Sequence, residues 1–347
     1  MTDGKEATKP YFEPFRTNGM LIASPSMAEL YSVMSKLARS NVSVLILGET
    51  GVGKELVARE LHSLSGRQGN FVAINCAGIP ESLLETTLFG HVRGAFTDAI
   101  RETEGKLQYA NNGTVFFDEI GEMRYHTQGK LLRVLEDKLI TKVGGHREIE
   151  VDVRVLSATN GDLARALDEE TFRKDLYYRL NVVTLSVPPL RQRMSEVPYL
   201  VQLFLDRYTR EEGKSLSIGA EVVRKLMMYD WPGNIRELEN FVKRAVILEG
   251  EPSSPSSGDA GEKSARINHK PLSVKTLDAL LESYKVDYSQ TGLNEGPDKS
   301  LEQIEKEAIM AALSKVNGNV LVAARILQIT RGTLYRKIVE YKLHRST

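Results

Sequence analysis

One short segment constrains the fold more than any other part of the sequence. The octapeptide GETGVGKE, residues 48–55, follows the apolar run 42–47 and opens a helical pattern near Lys54. Glycines at this spacing let backbone N–H groups surround a phosphate, and the start of the helix adds a favourable dipole. Lys54 brings a positive charge to the β- and γ-phosphates of a nucleotide. The segment therefore predicts a phosphate-binding loop between a buried strand and a helix.

We expect the whole octapeptide to take part in nucleotide binding. Most loops of this kind carry Ser or Thr after the lysine as a ligand for magnesium, whereas this chain has Glu55. The carboxylate of Glu55 either holds the ion through water or leaves it to another residue. The predicted binding residues are Gly48, Glu49, Thr50, Gly51, Val52, Gly53, Lys54 and Glu55.

A second motif, GTVFFDE, places two carboxylates at the end of an apolar strand, at Asp118 and Glu119. Ligand sites in open α/β sheets lie at the carboxyl ends of the strands, so both side chains are expected to face the nucleotide. Asp118 suits Mg²⁺, and Glu119 suits polarising the attacking water. Together with the phosphate loop, this pair predicts a magnesium-dependent nucleoside triphosphatase.

The remaining sequence divides by pattern and composition. Residues 1–20 are polar and aperiodic, and we interpret them as a short tail. Residues 21–190 alternate buried strands (VSVLILG, FVAIN, TVFFDE, VDVRVLSATN) with helices, which predicts an α/β fold with a parallel sheet. Residues 191–250 are helical throughout and form a small all-α subdomain. Residues 251–300 are rich in Pro, Gly and Ser and are interpreted as a flexible linker, and residues 301–347 form a last helical module.

Net charge conceals an asymmetry between these parts. The chain has 46 Lys and Arg against 46 Asp and Glu. The last 29 residues hold six of the basic residues and one acid, Glu340, so the rest of the chain has 40 basic and 45 acidic residues. A local charge of +5 at the C-terminus suits the phosphate backbone of DNA.

Three observations bear on the compartment. A single cysteine, Cys76, excludes an intrachain disulfide and suits a reducing environment. Apolar runs are far shorter than the roughly 20 residues that span a membrane. The first ten residues lack the apolar core of a secretory signal. We therefore expect a cytoplasmic protein with no membrane partner.

The longer motifs resemble the central domain of bacterial enhancer-binding proteins, the AAA+ activators of sigma-54 RNA polymerase. The resemblance covers residues 19–250, and the motifs follow one another in the family's order. The shared segments are LGETGVGKELVAR, INCAGIPESLLETTLFGH, GAFTDA, GTVFFDEIGEM, KLLRVLE, SATN, FRKDLYYRLNVV, PPLRQR and WPGNIRELEN. The family commonly carries an acidic residue after the loop lysine, as Glu55 is here.

This resemblance implies an AAA+ P-loop ATPase with a helical lid and assigns roles at the nucleotide. Asn75 would be a switch that hydrogen-bonds Glu119 and reports the nucleotide state. Thr159 and Asn160, at the end of the fourth strand, would form the first sensor near the γ-phosphate.

The resemblance also implies an oligomer. Arg173 and Arg179 in FRKDLYYRL would project into the neighbouring subunit's site as arginine fingers, and Arg236 in GNIREL would be the second sensor on the lid. A guanidinium supplied in trans makes hydrolysis depend on a ring, which we expect to be a hexamer.

The segment GAFTDA is the part that engages sigma-54 in this family. Phe96 and Thr97 would make the contact, because an exposed phenylalanine at a glycine-flanked loop tip can anchor on a partner. Asp98 stands where the family has glycine, which puts the loop's movement or its coupling to hydrolysis in question. The whole segment comprises Gly94, Ala95, Phe96, Thr97, Asp98 and Ala99.

The C-terminal module resembles the Fis-type helix-turn-helix that ends many of these activators. Thr330 is a natural N-cap for its second helix, whose polar side carries Arg331, Thr333, Arg336 and Lys337. We expect these four side chains to bind double-stranded DNA at an enhancer-like site.

These observations favour an ATP-driven activator that remodels the sigma-54 RNA polymerase holoenzyme. Two other classes remain open at this point: a DNA-binding regulator of the same ancestry that no longer activates sigma-54, and an AAA+ unfoldase. Few residues precede the first family motif, and we therefore expect control by a separate regulatory protein acting in trans.

Overall fold

The structure is a computed structural model. It describes residues 13–96, 99–161, 163–252, 271–273 and 276–282 and six separate positions nearer the C-terminus. No helix within these residues is long and apolar enough to cross a membrane. The six positions are Ile309, Met310, Val320, Ala323, Leu334 and Lys337.

The described strands are short and most lie in the first two thirds of the chain. They are β1 (Phe15–Thr17), β2 (Met20–Ile22), β3 (Val44–Leu47), β4 (Phe71–Asn75), β5 (Gly90–His91), β6 (Thr103–Glu104), β7 (Thr114–Asp118), β8 (Leu139–Thr141), β9 (Glu148–Glu150), β10 (Arg154–Thr159), β11 (Val183–Ser186), β12 (Lys214–Ser215) and β13 (Glu251–Pro252).

Helices separate the strands and then dominate the described residues that follow residue 190. They are α1 (Pro25–Leu37), α2 (Lys54–Ser65), α3 (Glu81–Phe89), α4 (Lys106–Tyr109), α5 (Tyr125–Asp137), α6 (Leu163–Asp168), α7 (Lys174–Leu180), α8 (Val197–Glu212), α9 (Ala220–Leu226) and α10 (Asn234–Glu249). Short 3₁₀ turns occur at Ile120–Glu122, Leu190–Gln192 and Met194–Glu196.

A five-stranded parallel sheet forms the centre of the ATPase part, in the order β11-β3-β10-β7-β4. Successive side chains of β7 enter two separate cores: Phe116 packs with the cluster that includes α1 and α2, and Phe117 with the cluster on the opposite face. Burial on both faces explains why these strands consist of continuous apolar residues. The predicted α/β fold with a parallel sheet is confirmed.

The lid, as we call the segment 191–252, consists mainly of α8, α9 and α10. Helix α8 packs along α10. Strand β12, directly after α8, pairs with β13, directly after α10. Trp231 is 1% exposed, donates its indole N–H to Leu226 O at 2.8 Å and contacts the Phe241 ring edge-on. This buried aromatic fixes the turn that precedes α10.

Two segments differ from the sequence-based interpretation. The predicted tail contains the β1–β2 hairpin, whose Thr17 and Asn18 side chains donate to the buried carboxylate of Glu60 on α2. The predicted strands also omitted β11, which pairs with β3 at the edge of the sheet. Both elements are short, and their few buried side chains give a weak periodic signal.

The C-terminal third contains two described features. In the segment predicted as a linker, Leu272 is buried and its N–H donates to Ser217 O at 2.8 Å, so this stretch pairs with the lid. The chain separates into two compact units, residues 1–277 and 278–347. In the second unit the helical positions Ile309 and Leu334 are buried.

Glu237 of α10 is a buried carboxylate whose described hydrogen-bond donors are one backbone N–H and one tyrosine hydroxyl. It is 1% exposed and accepts hydrogen bonds from Gly233 N at 2.8 Å and from the Tyr229 hydroxyl at 3.2 Å. Burial raises the pKa of Glu237, and these two bonds only partly oppose the shift. A raised pKa means that the folded state binds the proton more tightly than the unfolded state. Stability contributed by this group is therefore greatest at low pH and is lost as pH rises through the folded pKa.

We expect Glu237→Gln to raise the thermal unfolding midpoint at pH 7.5, because the amide keeps an acceptor for Gly233 N–H and removes a buried charge. The gain over the wild type should shrink as the pH falls towards 5, as measured by calorimetry. Glu212→Gln at an exposed position of α8 provides the control and should show no such pH dependence. If the stability gain of Glu237→Gln over the wild type were smaller at pH 7.5 than at pH 5, the expected pH dependence would be wrong.

Candidate active site

A cavity of about 590 Å³ lies where the phosphate loop, the carboxyl edge of the sheet and the lid meet. It brings together residues from four separate segments of the chain that the sequence singled out. Those residues are Thr50, Gly51, Gly53, Lys54, Glu55, Asn75, Asp118, Glu119 and Arg236. The strand register accounts for part of this meeting, because β4 and β7 end side by side with Asn75 opposite Asp118.

Lys54 is held at the floor of this cavity. It begins α2, its side chain is 6% exposed, and Nζ donates to Gly48 O at 2.8 Å. Glu119 Oε1 lies 3.4 Å from the same nitrogen. A buried ammonium needs oxygen partners, and here the loop backbone and one carboxylate supply them. Lys54 is therefore positioned to exchange one of these partners for an anionic ligand.

Glu119 occupies an unusual backbone conformation just after β7. Its φ of 51° and ψ of 53° lie in the left-handed region, which is costly for a residue other than glycine. Its second carboxylate oxygen accepts from Asn160 N at 3.0 Å, and the Asn160 side chain donates to Thr50 Oγ1 at 2.8 Å. Asn160 thus links the Glu119 carboxylate to the phosphate loop.

Burial and local contacts determine the hydrogen bonding or protonation of three neighbouring residues, Thr159, Asp118 and Cys76. Thr159 is buried and its Oγ1 accepts from Gly161 N at 3.0 Å. Burial raises the pKa of Asp118, with the charge of Glu119 adding to the shift and Lys54 opposing it. Burial likewise raises the pKa of Cys76 to about 12, which keeps it a neutral thiol and agrees with a structural role.

The hydrogen bond expected between Asn75 and Glu119 is not among the described contacts. Asn75 Oδ1 instead accepts from Ala77 N and Gly78 N, both at 3.0 Å. These bonds form an Asx-type turn directly after β4 and satisfy the amide oxygen locally. Asn75 nevertheless lines the cavity beside Asp118, so its side chain remains within the site.

Two acidic residues of the phosphate loop behave differently from one another. Glu55 lines the cavity, and its carboxylate is engaged by Arg59 one turn along α2, with Nε at 2.9 Å and Nη2 at 2.6 Å. Glu49 is absent from the cavity lining, and its side chain meets Arg191 of the lid. The expectation that Glu49 faces the nucleotide therefore does not fit its side-chain direction.

The cavity lining also includes apolar residues that the sequence reasoning missed. A planar, partly apolar group such as a nucleobase fits a lining of this kind. The residues that form it come from the β1–β2 hairpin and the lid: Met20, Leu21, Leu200, Leu203, Phe204 and Ile235. The motifs PPLRQR and GNIREL that flank these lid helices were the available signals.

Arg173 and Arg179 lie outside the lining of this cavity. Arg173 pairs with Asp175 through two hydrogen bonds, at 3.0 and 2.7 Å, and lies over the Tyr125 ring. Arg179 on α7 contacts Glu136 at 3.2 Å and has 59% of its side chain exposed. Neither arginine therefore lines the cavity of its own chain.

The described residues of the predicted sigma-54 contact segment lie between β5 and β6, which pair as a short antiparallel ladder. Gly94, with φ of 81°, donates to Ala99 O at 2.8 Å and closes the loop. Phe96 is 41% exposed, with its ring 4.9 Å from that of His91. Within the described residues the loop therefore presents an aromatic side chain. The predicted contacts Thr97 and Asp98 lie outside the described residues.

Of the four predicted DNA-binding side chains, the structure describes one. Lys337 lies in a helix and is partly exposed, three residues after the buried Leu334. Arg331, Thr333 and Arg336 lie outside the described residues.

Comparison with known protein families identifies three successive matches. Residues 20–186 match the Sigma-54 interaction domain, residues 191–254 match the AAA+ ATPase lid domain, and residues 300–341 match the Bacterial regulatory protein, Fis family. The chain is also 42% identical over 323 residues to the transcriptional regulatory protein ZraR of Salmonella typhimurium, covering 92% of this chain and 68% of ZraR. The chain belongs to the sigma-54-dependent transcriptional activators.

Other relatives and solved structures agree with this assignment. The activator is 39% identical to the regulatory protein AtoC of Escherichia coli, over 93% of this chain and 67% of AtoC. A crystal structure of NtrX from Brucella abortus in complex with ATP is similar with a TM-score of 0.64 and 32% identity, over 94% of this chain and 69% of that one. Another NtrX structure, in complex with ADP, gives a TM-score of 0.65.

Family membership supports the first of the three classes of protein that the sequence left open, the ATP-driven activator. The chain is an AAA+ ATPase that activates transcription with sigma-54 RNA polymerase, and its Fis-type domain binds DNA. The AAA+ fold with a helical lid and the NTPase prediction are confirmed.

We expect Glu119→Gln to lower ATP turnover by about 10²–10⁴-fold, the usual range for a lost general base, while nucleotide binding persists. A coupled-enzyme assay measures turnover, and fluorescence titration with a labelled ADP measures binding. Glu122→Gln, at an exposed position three residues along, is the matched control and should keep wild-type turnover. Unchanged turnover in Glu119→Gln would remove Glu119 from the chemistry.

Proposed function

We propose that this activator binds ATP with Mg²⁺ in the cavity between the phosphate loop and the lid, and couples hydrolysis to movement of the Phe96 loop against sigma-54. The observation that carries the proposal is the convergence of Lys54, Asp118 and Glu119 on one cavity that also has an apolar wall. Such a cavity can take the phosphates at one end and the base at the other.

Lys54 and Asp118 hold the charged end of the nucleotide in this scheme. Lys54 Nζ contacts the β- and γ-phosphates. Asp118 binds Mg²⁺, which neutralises phosphate charge when bound. No cluster of three or more potential metal ligands occurs among the described residues, and magnesium typically takes only one or two carboxylates together with substrate phosphates. We assign the ion to Asp118 in preference to Glu55, because the Glu55 carboxylate is paired with Arg59.

Glu119 polarises the attacking water, and two neighbours report the state of the γ-phosphate. Asn160 connects Glu119 to Thr50, so displacement of Thr50 by a ligand acts directly on the carboxylate. Thr159 supports this arrangement from the end of β10. Asn75 acts as the switch by donating its Nδ2 to Glu119, since its Oδ1 is already held by Ala77 N and Gly78 N.

Assembly into a ring, which we propose to be a hexamer, completes the site. Arg173 and Arg179 reach the γ-phosphate bound by the adjacent subunit, and Arg236 contacts the nucleotide from the lid. The two fingers are paired with Asp175 and Glu136 on their own chain. Because exposed ion pairs are weak, exchange for a phosphate costs little.

The remaining parts serve recognition. We divide the chain as the sequence suggested, into an ATPase part (21–190), a lid (191–250), a connection (251–300) and a DNA-binding module (301–347). Arg331, Thr333, Arg336 and Lys337 contact an enhancer-like site on double-stranded DNA. A separate protein regulates ring assembly in trans, and the whole system works in the cytoplasm, where its DNA and polymerase are found.

A mixing experiment tests the ring. Arg179→Ala and Lys54→Ala should each lower turnover by about 10³-fold or more, because one lacks the finger and the other cannot bind the phosphates. Mixed in equal amounts, the two proteins should regain part of the activity, since some interfaces then pair an intact finger with an intact loop. Arg165→Ala, on an exposed residue, is the control. Absence of any recovery, in mixtures shown to co-assemble by light scattering, would exclude action in trans.

The Phe96 loop is tested with purified sigma-54 holoenzyme and a promoter. Phe96→Ala should keep ATP turnover and lose ATP-dependent open-complex formation, because the aromatic contact is removed while the nucleotide site is unaltered. Ile100→Ala, which removes a 76% exposed apolar side chain nearby, should retain open-complex formation. Equal open-complex yields with Phe96→Ala and wild type would overturn this assignment.

A further inference from the structure

The phosphate loop is held from behind by the lid. Asn234 Nδ2 donates to Thr50 O at 3.1 Å, and Gly51 O accepts from Ile235 N at 3.0 Å and from Arg236 N at 3.4 Å. Arg193 Nη2 donates to Val52 O at 2.7 Å. Three consecutive loop carbonyls therefore receive their hydrogen bonds from a different subdomain.

Side chains extend this contact at the first variable position of the loop. Arg191 makes two hydrogen bonds to the Glu49 carboxylate, at 2.8 and 2.5 Å, and Asn234 Nδ2 donates to Glu49 Oε2 at 3.1 Å. Asn234 is fully buried, has a φ of 53°, and its Oδ1 accepts from Leu190 N at 2.8 Å. We call Glu49, Arg191 and Asn234 the lid clasp.

The backbones of the phosphate loop and the lid are in close contact at the same place. Gly51 has φ of 79°, and a Cβ on it would lie 2.4 Å from Gly233 O. Backbone therefore packs on backbone where the loop meets the start of α10. The lid cannot rotate away from the loop without breaking several hydrogen bonds together, nor can the loop change shape while the lid remains in place.

Peptide geometry transmits this restraint to the ligand side. In a planar trans peptide the C=O and the following N–H point in opposite directions, and the described chain has no cis peptide. The carbonyls of Thr50 and Val52 face the lid, so the N–H groups of Gly51 and Gly53 are turned the other way, and both residues line the cavity. The lid contacts thus orient the donors on which a phosphate depends.

We propose that the lid clasp is a positioning device that makes nucleotide affinity depend on the position of the lid. Glu49 is a positioning residue that acts through the loop backbone and does not touch the nucleotide. A closed clasp preorganises the loop and slows nucleotide release, and an opened clasp releases the loop and the nucleotide together. This inference rests on the proposed function in one respect, namely that the nucleotide binds in this cavity.

The clasp can be tested without disturbing the core, since Glu49 and Arg191 are 42% and 43% exposed. Glu49→Ala, Arg191→Ala and the double variant are compared with wild type for the ATP KM, kcat and the release rate of a fluorescent ADP. Each single variant should raise the KM and speed ADP release by about fivefold, which is the upper range for an exposed charge pair, with kcat changed less than twofold. The double variant should match the single ones, because the pair acts as a unit.

Arg165→Ala is the matched control, since it removes an exposed ion pair with Glu169 that lies away from the cavity. Arg191→Lys keeps the charge without the two-pronged geometry and should fall between wild type and Arg191→Ala. Thermal melts of every variant should lie close to that of the wild type, which separates the nucleotide effect from general destabilisation.

Several results would overturn the inference. If Glu49→Ala raises the KM while Arg191→Ala has no effect, Glu49 binds the nucleotide directly. If neither variant changes the KM or ADP release, or if only kcat falls, the clasp does not set affinity. Failure of the wild type itself to bind labelled ADP, or labelled ADP binding unaffected by Lys54→Ala, would instead contradict the proposed nucleotide site, so the two failures are distinguishable.

Discussion

The pairing of the parallel strands is the constraint on which the rest of this structure depends. Because β3, β4, β7 and β10 run in the same direction, their last residues meet at one edge. Asn75 therefore lies opposite Asp118, and Thr159 lies opposite Leu47, just before the phosphate loop. Phe116 and Phe117 are buried on opposite faces of β7, so a slip by one residue would exchange two cores. The residues of the nucleotide site therefore follow strands whose register is fixed by burial on both faces.

The lid restrains the conformation of the phosphate loop where the sheet does not reach it. A loop with three glycines has many accessible conformations, and hydrogen bonds from its own helix fix only its end. Here the carbonyls of Thr50, Gly51 and Val52 are satisfied from the lid, and Lys54 is satisfied from within the loop. The loop is thereby restrained on two sides, with the sheet at its start and the lid behind it.

Local sequence signals predicted the parts whose determinants are contiguous. The strand, loop and helix around Lys54 and the pair Asp118–Glu119 are short patterns, and their positions followed from the rule that ligands meet parallel strands at the carboxyl end. The hairpin at β1–β2 carried its own signal, Asn18-Gly19, a dipeptide typical of tight turns in hairpins, with φ values of 42° and 90°. It was missed because the strands beside it are only three residues long.

Other features could not follow from local pattern. The direction of the Glu49 side chain depends on Arg191, which lies 142 residues away in the sequence, and the loop motif is the same whether or not that partner is present. The orientation of the Asn75 amide is likewise set by a tertiary detail: Oδ1 accepts from Ala77 N and Gly78 N, which leaves Nδ2 as the group that can donate to a carboxylate. Tertiary packing determines which hydrogen-bond partner such a side chain meets. A local sequence pattern identifies the residue and does not identify its partner.

The ion pairs of Arg173 and Arg179 hold two guanidinium groups in place while requiring little free energy for their release. Arg173 and Arg179 each have an acid on their own chain, and both pairs are at least partly exposed to solvent. An exposed ion pair contributes only about 0.2–1 kcal/mol, whereas a guanidinium that meets a phosphate in a water-poor interface gains more. The isolated subunit therefore holds these side chains in defined positions without binding them tightly. In the ring that we propose, assembly would redirect them, and the site would be complete only when a neighbour is present.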